Sequence, residues 1–100
     1  MKRFYISQPM YGLTDEEIQA ERDRAAERLL ELYPSEDGMQ IISNFMPEFY
    51  ITNPVAALGD SISSLEDVDM AFFIGDWQSH RGCRIEHMVC VEYGIPVGYL

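Results

Sequence analysis

Asp69-Met70-Ala71-Phe72-Phe73-Ile74-Gly75 is the stretch that decides the fold. It is apolar without alternation, the pattern of a strand buried on both faces of a parallel sheet. Parallel neighbours need long crossovers, so helices are expected on either side of it. Downstream, Asp76 to Arg81 reads as a loop, and a helix is predicted from about Gly82 to Tyr93 with Gly94 as its cap. Ile95-Pro96-Val97-Gly98-Tyr99-Leu100 reads as a last strand. Upstream, Pro54 suits the first turn of a helix reaching about Asp67, weakened by Gly59. Met39 to Met46 contains a further strand around Ile41-Ile42, set between the turn Ser35-Glu36-Asp37-Gly38 and a loop from Pro47 to Asn53.

The chain opens on a β-prone run, Arg3-Phe4-Tyr5-Ile6, that meets turn residues at Ser7-Gln8-Pro9, and Gly12 closes this loop. Thr14-Asp15-Glu16-Glu17 has the Thr-x-x-Glu form of a capping box, with acids well placed in the first turn. That helix should run to about Tyr33, because Pro34 stops it. Its expected inner face is Ile18, Ala25, Ala26, Leu29, Leu30 and Tyr33. Arg22, Arg24 and Arg28, interleaved with Glu21, Asp23, Glu27 and Glu31, read as a solvated charged face. Strand and helix alternate throughout. The expectation is one α/β domain over residues 1–100: three-layered, Rossmann-like or flavodoxin-like, with a mainly parallel sheet of about four to five strands.

Composition narrows the function. Seven Lys+Arg against seventeen Asp+Glu give a net charge of −10 and a sequence pI near 4.3. A nucleic-acid polymer is a poor partner for such a chain, because binding it needs a basic face that releases counterions. Attachment to an anionic membrane surface is disfavoured for the same reason, and no apolar run approaches the roughly 20 residues of a membrane span. MKRFYISQPM lacks the long apolar stretch of a signal peptide, and two cysteines fit reduced thiols, so a cytoplasmic setting is expected.

In open α/β sheets ligands sit beyond the carboxyl ends of the strands, near a switch in strand order. Those ends are Ser7 to Gly12 and Gly75 to Gly82; both carry glycine and polar groups and both lead into helix N-termini, where an anionic group is favoured. Arg81 and Arg84 cluster at the second loop, which suits a small anionic metabolite. Each of the two is either half of a bidentate phosphate clamp or an ion-pair partner of Asp76 and Glu86. Trp77 and Tyr11 either stack on a base or pack in the core or at a subunit interface. Gln8 either hydrogen-bonds a base or sugar or is exposed to water, and Tyr5, just ahead of the loop, lines the pocket or packs in the core. Cys83, His87 and Cys90 share a helix face with His80 nearby and could hold zinc, but Cys-x-x-x-His-x-x-Cys is not a standard zinc spacing and buried cysteine is common as a small hydrophobe. No metal and no cofactor is assigned.

Tyr5-Ile6-Ser7-Gln8-Pro9-Met10-Tyr11-Gly12 resembles the Tyr-Ile-Ser-Gly-Pro-Met-Thr-Gly opening of small phage and bacterial proteins in the nucleoside 2-deoxyribosyltransferase-like superfamily. Gly75-Asp76-Trp77 and Ser79-His80-Arg81-Gly82-Cys83-Arg84-Ile85-Glu86 resemble that superfamily's second motif, which includes Gly-x-x-x-Glu. The resemblance implies cleavage of an N-glycosidic bond between a base and a deoxyribose, by hydrolysis or by transfer to another base. It assigns Glu86 as the nucleophile, through its spacing from Gly82. It also implies a homodimer or higher oligomer that completes its sites across the interface. Tyr5, Ser7, Gln8, Pro9, Met10, Gly12, Asp76, Trp77, Ser79, Arg81 and Gly82 then become the expected substrate contacts. The family's acid is an aspartate opening the second helix; counted back from Asp69 its position falls on Ser61, with Asp60 one residue earlier. Asp60 is taken as that acid, in a helix shifted by one residue, which is a turn of about 100°. The alternative is a pocket that binds or sequesters a nucleotide without turnover. Because the neighbouring core positions should be Ile85, Met88, Val89 and Val91, Glu86 is expected off the apolar stripe, facing the loop.

Overall fold

The computed structural model describes residues 1–34, 38–42 and 52–100. The expected turn at Ser35 to Asp37, the strand beyond Ile42 and the loop from Pro47 to Ile51 lie outside the described residues. Within them the order is β1 (Lys2–Ser7), α1 (Asp15–Leu32), β2 (Met39–Ile42), α2 (Pro54–Ser64), β3 (Met70–Phe73), α3 (Arg81–Tyr93) and β4 (Val97–Tyr99). Single 3-10 turns follow α2 at Leu65–Asp67 and precede α3 at Trp77–Ser79. The four strands form one sheet in the order β2-β1-β3-β4, and every pairing is parallel. This is the α/β architecture read from the alternation of elements, with the strand order of a flavodoxin-like, doubly wound sheet. Its order switches between β1 and β3.

Local chemistry explains the elements. The capping box forms as read: Thr14 Oγ1 accepts from the Glu17 amide, and Glu17 Oε1 accepts from the Thr14 amide, each at 3.1 Å. Pro54 opens α2, and Gly94 closes α3 in the left-handed conformation at φ 71°. β3 is central and covered on both faces, which is why its sequence lacks alternation. Phe4, Ile6, Phe72 and Ile74 pack against Ala25 and Leu29 of α1. Tyr5, Ala71 and Phe73 turn the other way, onto Leu65 and Cys90.

Two helix faces differ from the expectation. On α1 the buried residues are Ile18, Arg22, Ala25 and Leu29, while Leu30 is exposed. Arg22, read as part of a solvated face, is only 8% exposed, because its guanidinium finds acceptors at the end of the sheet. On α3 the buried residues are Cys83, Glu86 and Cys90, whereas Met88 and Val91 are 56% and 59% exposed. Glu86 therefore lies on the buried stripe. At about 100° per residue, Met88 points to the far side of the helix from it.

Candidate functional site

β1 is flanked by β2 and β3, so alternate side chains of β1 enter the layer beneath α2 and α3. Tyr5 and Ser7 share that face, two residues apart, and both are buried. Glu86, one turn into α3, descends onto them and is 6% exposed. Tyr5 donates its hydroxyl to Glu86 Oε2, and Ser7 donates to Oε1 at 3.0 Å. Both carboxylate oxygens are thus held by hydroxyls from a single strand. The Ser61 side chain of α2 is in hydrogen-bonding range of the Tyr5 hydroxyl, and Cys83 is in range of Ser7. The cluster lies toward the carboxyl ends of β1 and β3, at the switch in strand order.

Burial sets the electrostatics. It pushes the Glu86 carboxyl above its usual range, while the hydrogen bonds from Tyr5 and Ser7 pull the other way. The Tyr5 phenol is pushed well above its usual value, first by burial and then by the Glu86 charge, so it remains a donor. Burial likewise raises the Cys83 and Cys90 thiols to about 11. Neither is a thiolate nucleophile at neutral pH.

The other expected contacts fall into three places. Gln8 is buried and fully engaged: its Nε2 donates to the Ile18 carbonyl at 3.0 Å, and its Oε1 accepts from Arg22 at 2.8 Å. The Pro9 ring packs within 3.7 Å of where a Cβ would stand on Gly75, so the β1 and β3 loops touch. Met10 and Gly12 continue the first loop, Met10 accepting from the Leu13 amide and Gly12 adopting φ 82°. Ser79, Arg81 and Arg84 border an open cleft of about 420 Å³ with His80 and Tyr11, the last 83% exposed. Asp76 accepts from the Ser79 hydroxyl at 2.9 Å, and Arg84 donates to the Gln78 carbonyl at 3.0 Å. Arg81 and Arg84 leave α3 on the side away from Glu86, so this cleft and the buried Tyr5–Ser7–Glu86 cluster are separate features. Arg81 also borders an apolar groove with Gly82, Ile85, Val55 and Leu58.

Trp77 stacks on His87 at 4.5 Å between ring centroids and packs against Phe73 and Tyr99. His87 Nε2 meets the Tyr99 hydroxyl at 2.7 Å, which turns it into this aromatic cluster. Among the described residues no three His, Cys, Asp or Glu side chains converge as a metal site requires. Asp60 is exposed on α2, and its neighbour Ser61 is the residue that reaches Tyr5. Among the described residues no helix is long and apolar enough to cross a membrane.

Sequence reading missed Arg22 and the two hydroxyls on Glu86. The signal was spacing: Arg22 falls four residues after Ile18 and three before Ala25, inside the apolar stripe, and Glu86 falls between Cys83 and Cys90 in the same way. Comparison with family models, curated proteins and solved structures finds no match to this chain.

Proposed function

We propose that this chain processes a nucleoside or nucleotide by cleaving its N-glycosidic bond, with Glu86 as nucleophile. The observation that carries the reading is a buried carboxylate at the switch point, aimed by two hydroxyls. A carboxylate in that setting is poorly solvated and fixed in direction, which suits attack on an electrophilic carbon. Its oxygen bonds to the anomeric carbon of the deoxyribose, the carbon–nitrogen bond breaks, and the electron pair leaves with the base, which takes up a proton from solvent. Water then hydrolyses the glycosyl ester, or a second base displaces it, and Glu86 is regenerated. The motif resemblance from Tyr5 to Gly12 and from Gly75 to Glu86 supports the same chemistry. On this reading the partner is a small molecule, the setting is cytoplasmic, and a homodimer or higher oligomer completes the site.

A second reading has its own observation. Ser61, which cannot protonate a leaving base as a carboxylic acid would, borders Tyr5, and Asp60 is exposed. That favours a pocket that binds or sequesters a nucleotide without turning it over. One experiment separates the two. Deoxynucleosides and their 5′-monophosphates are incubated with wild type and with Glu86→Gln, and base release is followed by chromatography. Release by wild type and its loss, about 10³-fold or more, in a folded Glu86→Gln protein are expected. Release retained in Glu86→Gln would overturn the nucleophile. No release by wild type, with thermal stabilisation by one of the same compounds, would establish the binding reading.

A further inference from the structure

Arg22 is a buried charged side chain of α1 that makes no hydrogen bond to Glu86. It donates through Nη1 to Gln8 Oε1 at 2.8 Å and through Nη2 to the Ile42 carbonyl at 3.0 Å. Both acceptors are neutral, so the buried charge is held by hydrogen bonds rather than by an ion pair, and burial pushes the guanidinium's pKa down. A planar fork reaches two such acceptors at once in a way that a lysine ammonium does not. What the fork joins is specific. Ile42 ends β2, and Gln8 is the first residue beyond β1. Gln8 is in turn tied to α1 through the Ile18 carbonyl. The residue before Gln8 is Ser7, whose hydroxyl holds Glu86 Oε1.

We propose that Arg22 is a positioning residue: by clamping Gln8 against the end of β2 it fixes where β1 ends, and so aims the Ser7 hydroxyl at Glu86. Its relevance to catalysis rests on the function proposed above, but the clamp itself does not. Arg22 makes no hydrogen bond to Glu86 or Ser7; its charge is felt at Tyr5, while the clamp acts through Gln8 and the backbone. Gln8 is then a structural link, which leaves the substrate to other groups of the loop.

The test uses the whole chain as wild type, Arg22→Met, Arg22→Lys and Gln8→Leu. Amide exchange is followed by NMR, and the Glu86 side chain is titrated through its carboxyl carbon. Tyr5 on β1 and Cys83 and Cys90 on α3, the titratable groups around Glu86, are the same in all four proteins; the Arg22 charge that acts on Tyr5 is kept in Gln8→Leu and, as an ammonium, in Arg22→Lys. Expected is exchange about tenfold faster at the amides of Gln8 and of Met10 to Leu13 in Arg22→Met and Gln8→Leu, with Val89 and Cys90 in α3 unchanged. Arg22→Lys, which keeps the charge but loses the fork, should show the same loosening. Glu86 should titrate higher in all three variants, because the Ser7 bond that lowers it is misaligned. Gln8→Leu isolates this effect from the loss of the Arg22 charge. Unchanged loop exchange, uniform acceleration that includes α3, or an unmoved Glu86 titration would each overturn the proposal. If loop and titration respond while wild type releases no base, the clamp stands and the glycosidic reading falls.

Discussion

Tyr5→Phe removes one oxygen from the Glu86 cluster and keeps the ring that packs against Leu65, Ala71, Phe73 and Cys90. The lost hydroxyl is the donor to Glu86 Oε2, so the cost depends on whether Glu86 carries a charge. A hydrogen bond to a neutral acceptor contributes about 1 kcal/mol net, and one to a charged acceptor about 1.5–3 kcal/mol. Burial raises the Glu86 pKa in the folded protein, so the stability linked to this group is fully present below its unfolded pKa. It is lost as pH rises through the folded pKa. Tyr5→Phe deletes a contact that holds this pKa down, so the variant loses more over the same window. Urea unfolding followed by circular dichroism should give a destabilisation of about 1 kcal/mol near pH 4, below the unfolded carboxyl pKa, and about 2–3 kcal/mol at pH 8.5. With roughly 4–8 °C per kcal/mol for a domain of this size, the pH 8.5 value corresponds to a Tm fall on the order of 10–20 °C. In a Glu86→Gln background the pH dependence of the Tyr5→Phe effect should vanish. Equal destabilisation at both pH values, or a pH dependence that survives Glu86→Gln, would refute the coupling.

Two further perturbations bear on the packing around the site. A Cβ on Gly98 would stand 2.6 and 2.8 Å from ring atoms of Phe72, itself buried edge-on to Phe4, so Gly98→Ala should cost about 1–3 kcal/mol. A Tm within about 2 °C of wild type would show that the ring moves aside. Cys83 and Cys90, with thiols near 11 and little solvent contact, should resist iodoacetamide for hours at pH 8 in the folded protein and react within minutes in urea. Stoichiometric labelling of the folded chain would contradict their burial.

The fold was legible because its signals are local. The apolar run around Phe72 and Phe73 marks a strand covered on both faces, and Thr14 with Glu17 marks a helix start. Pro34, Pro54 and Gly94 fix ends through backbone geometry alone. The site was less legible, because it depends on which polar residues the sheet can satisfy. Residue type put Arg22 and Glu86 outside; acceptors on Gln8 and Ile42, and donors on Tyr5 and Ser7, brought them in. None of those partners is near in sequence: Tyr5 and Glu86 are 81 residues apart. Helical spacing held the clue, since both residues interrupt an otherwise buried stripe. A charged residue at a stripe position has either a partner or a large penalty, and a stable helix argues for the partner.

The same reasoning bears on α2, where residue type and register compete. Sequence spacing left Asp60 and Ser61 as rivals for one position, and no composition rule separates neighbours on a helix. Packing does so through rotation: one residue is about 100° of turn, so when Ser61 faces Tyr5, Asp60 points well to one side. Moving Asp60 to Tyr5 would need the helix to rotate by that angle. Such a rotation would carry Ala57, buried three residues before Asp60, off the core, and would disturb the entry into Leu65. The helix register is therefore set by its apolar contacts rather than by the carboxylate. Asp60 therefore stays off the Tyr5–Glu86 cluster while Ser61 faces it.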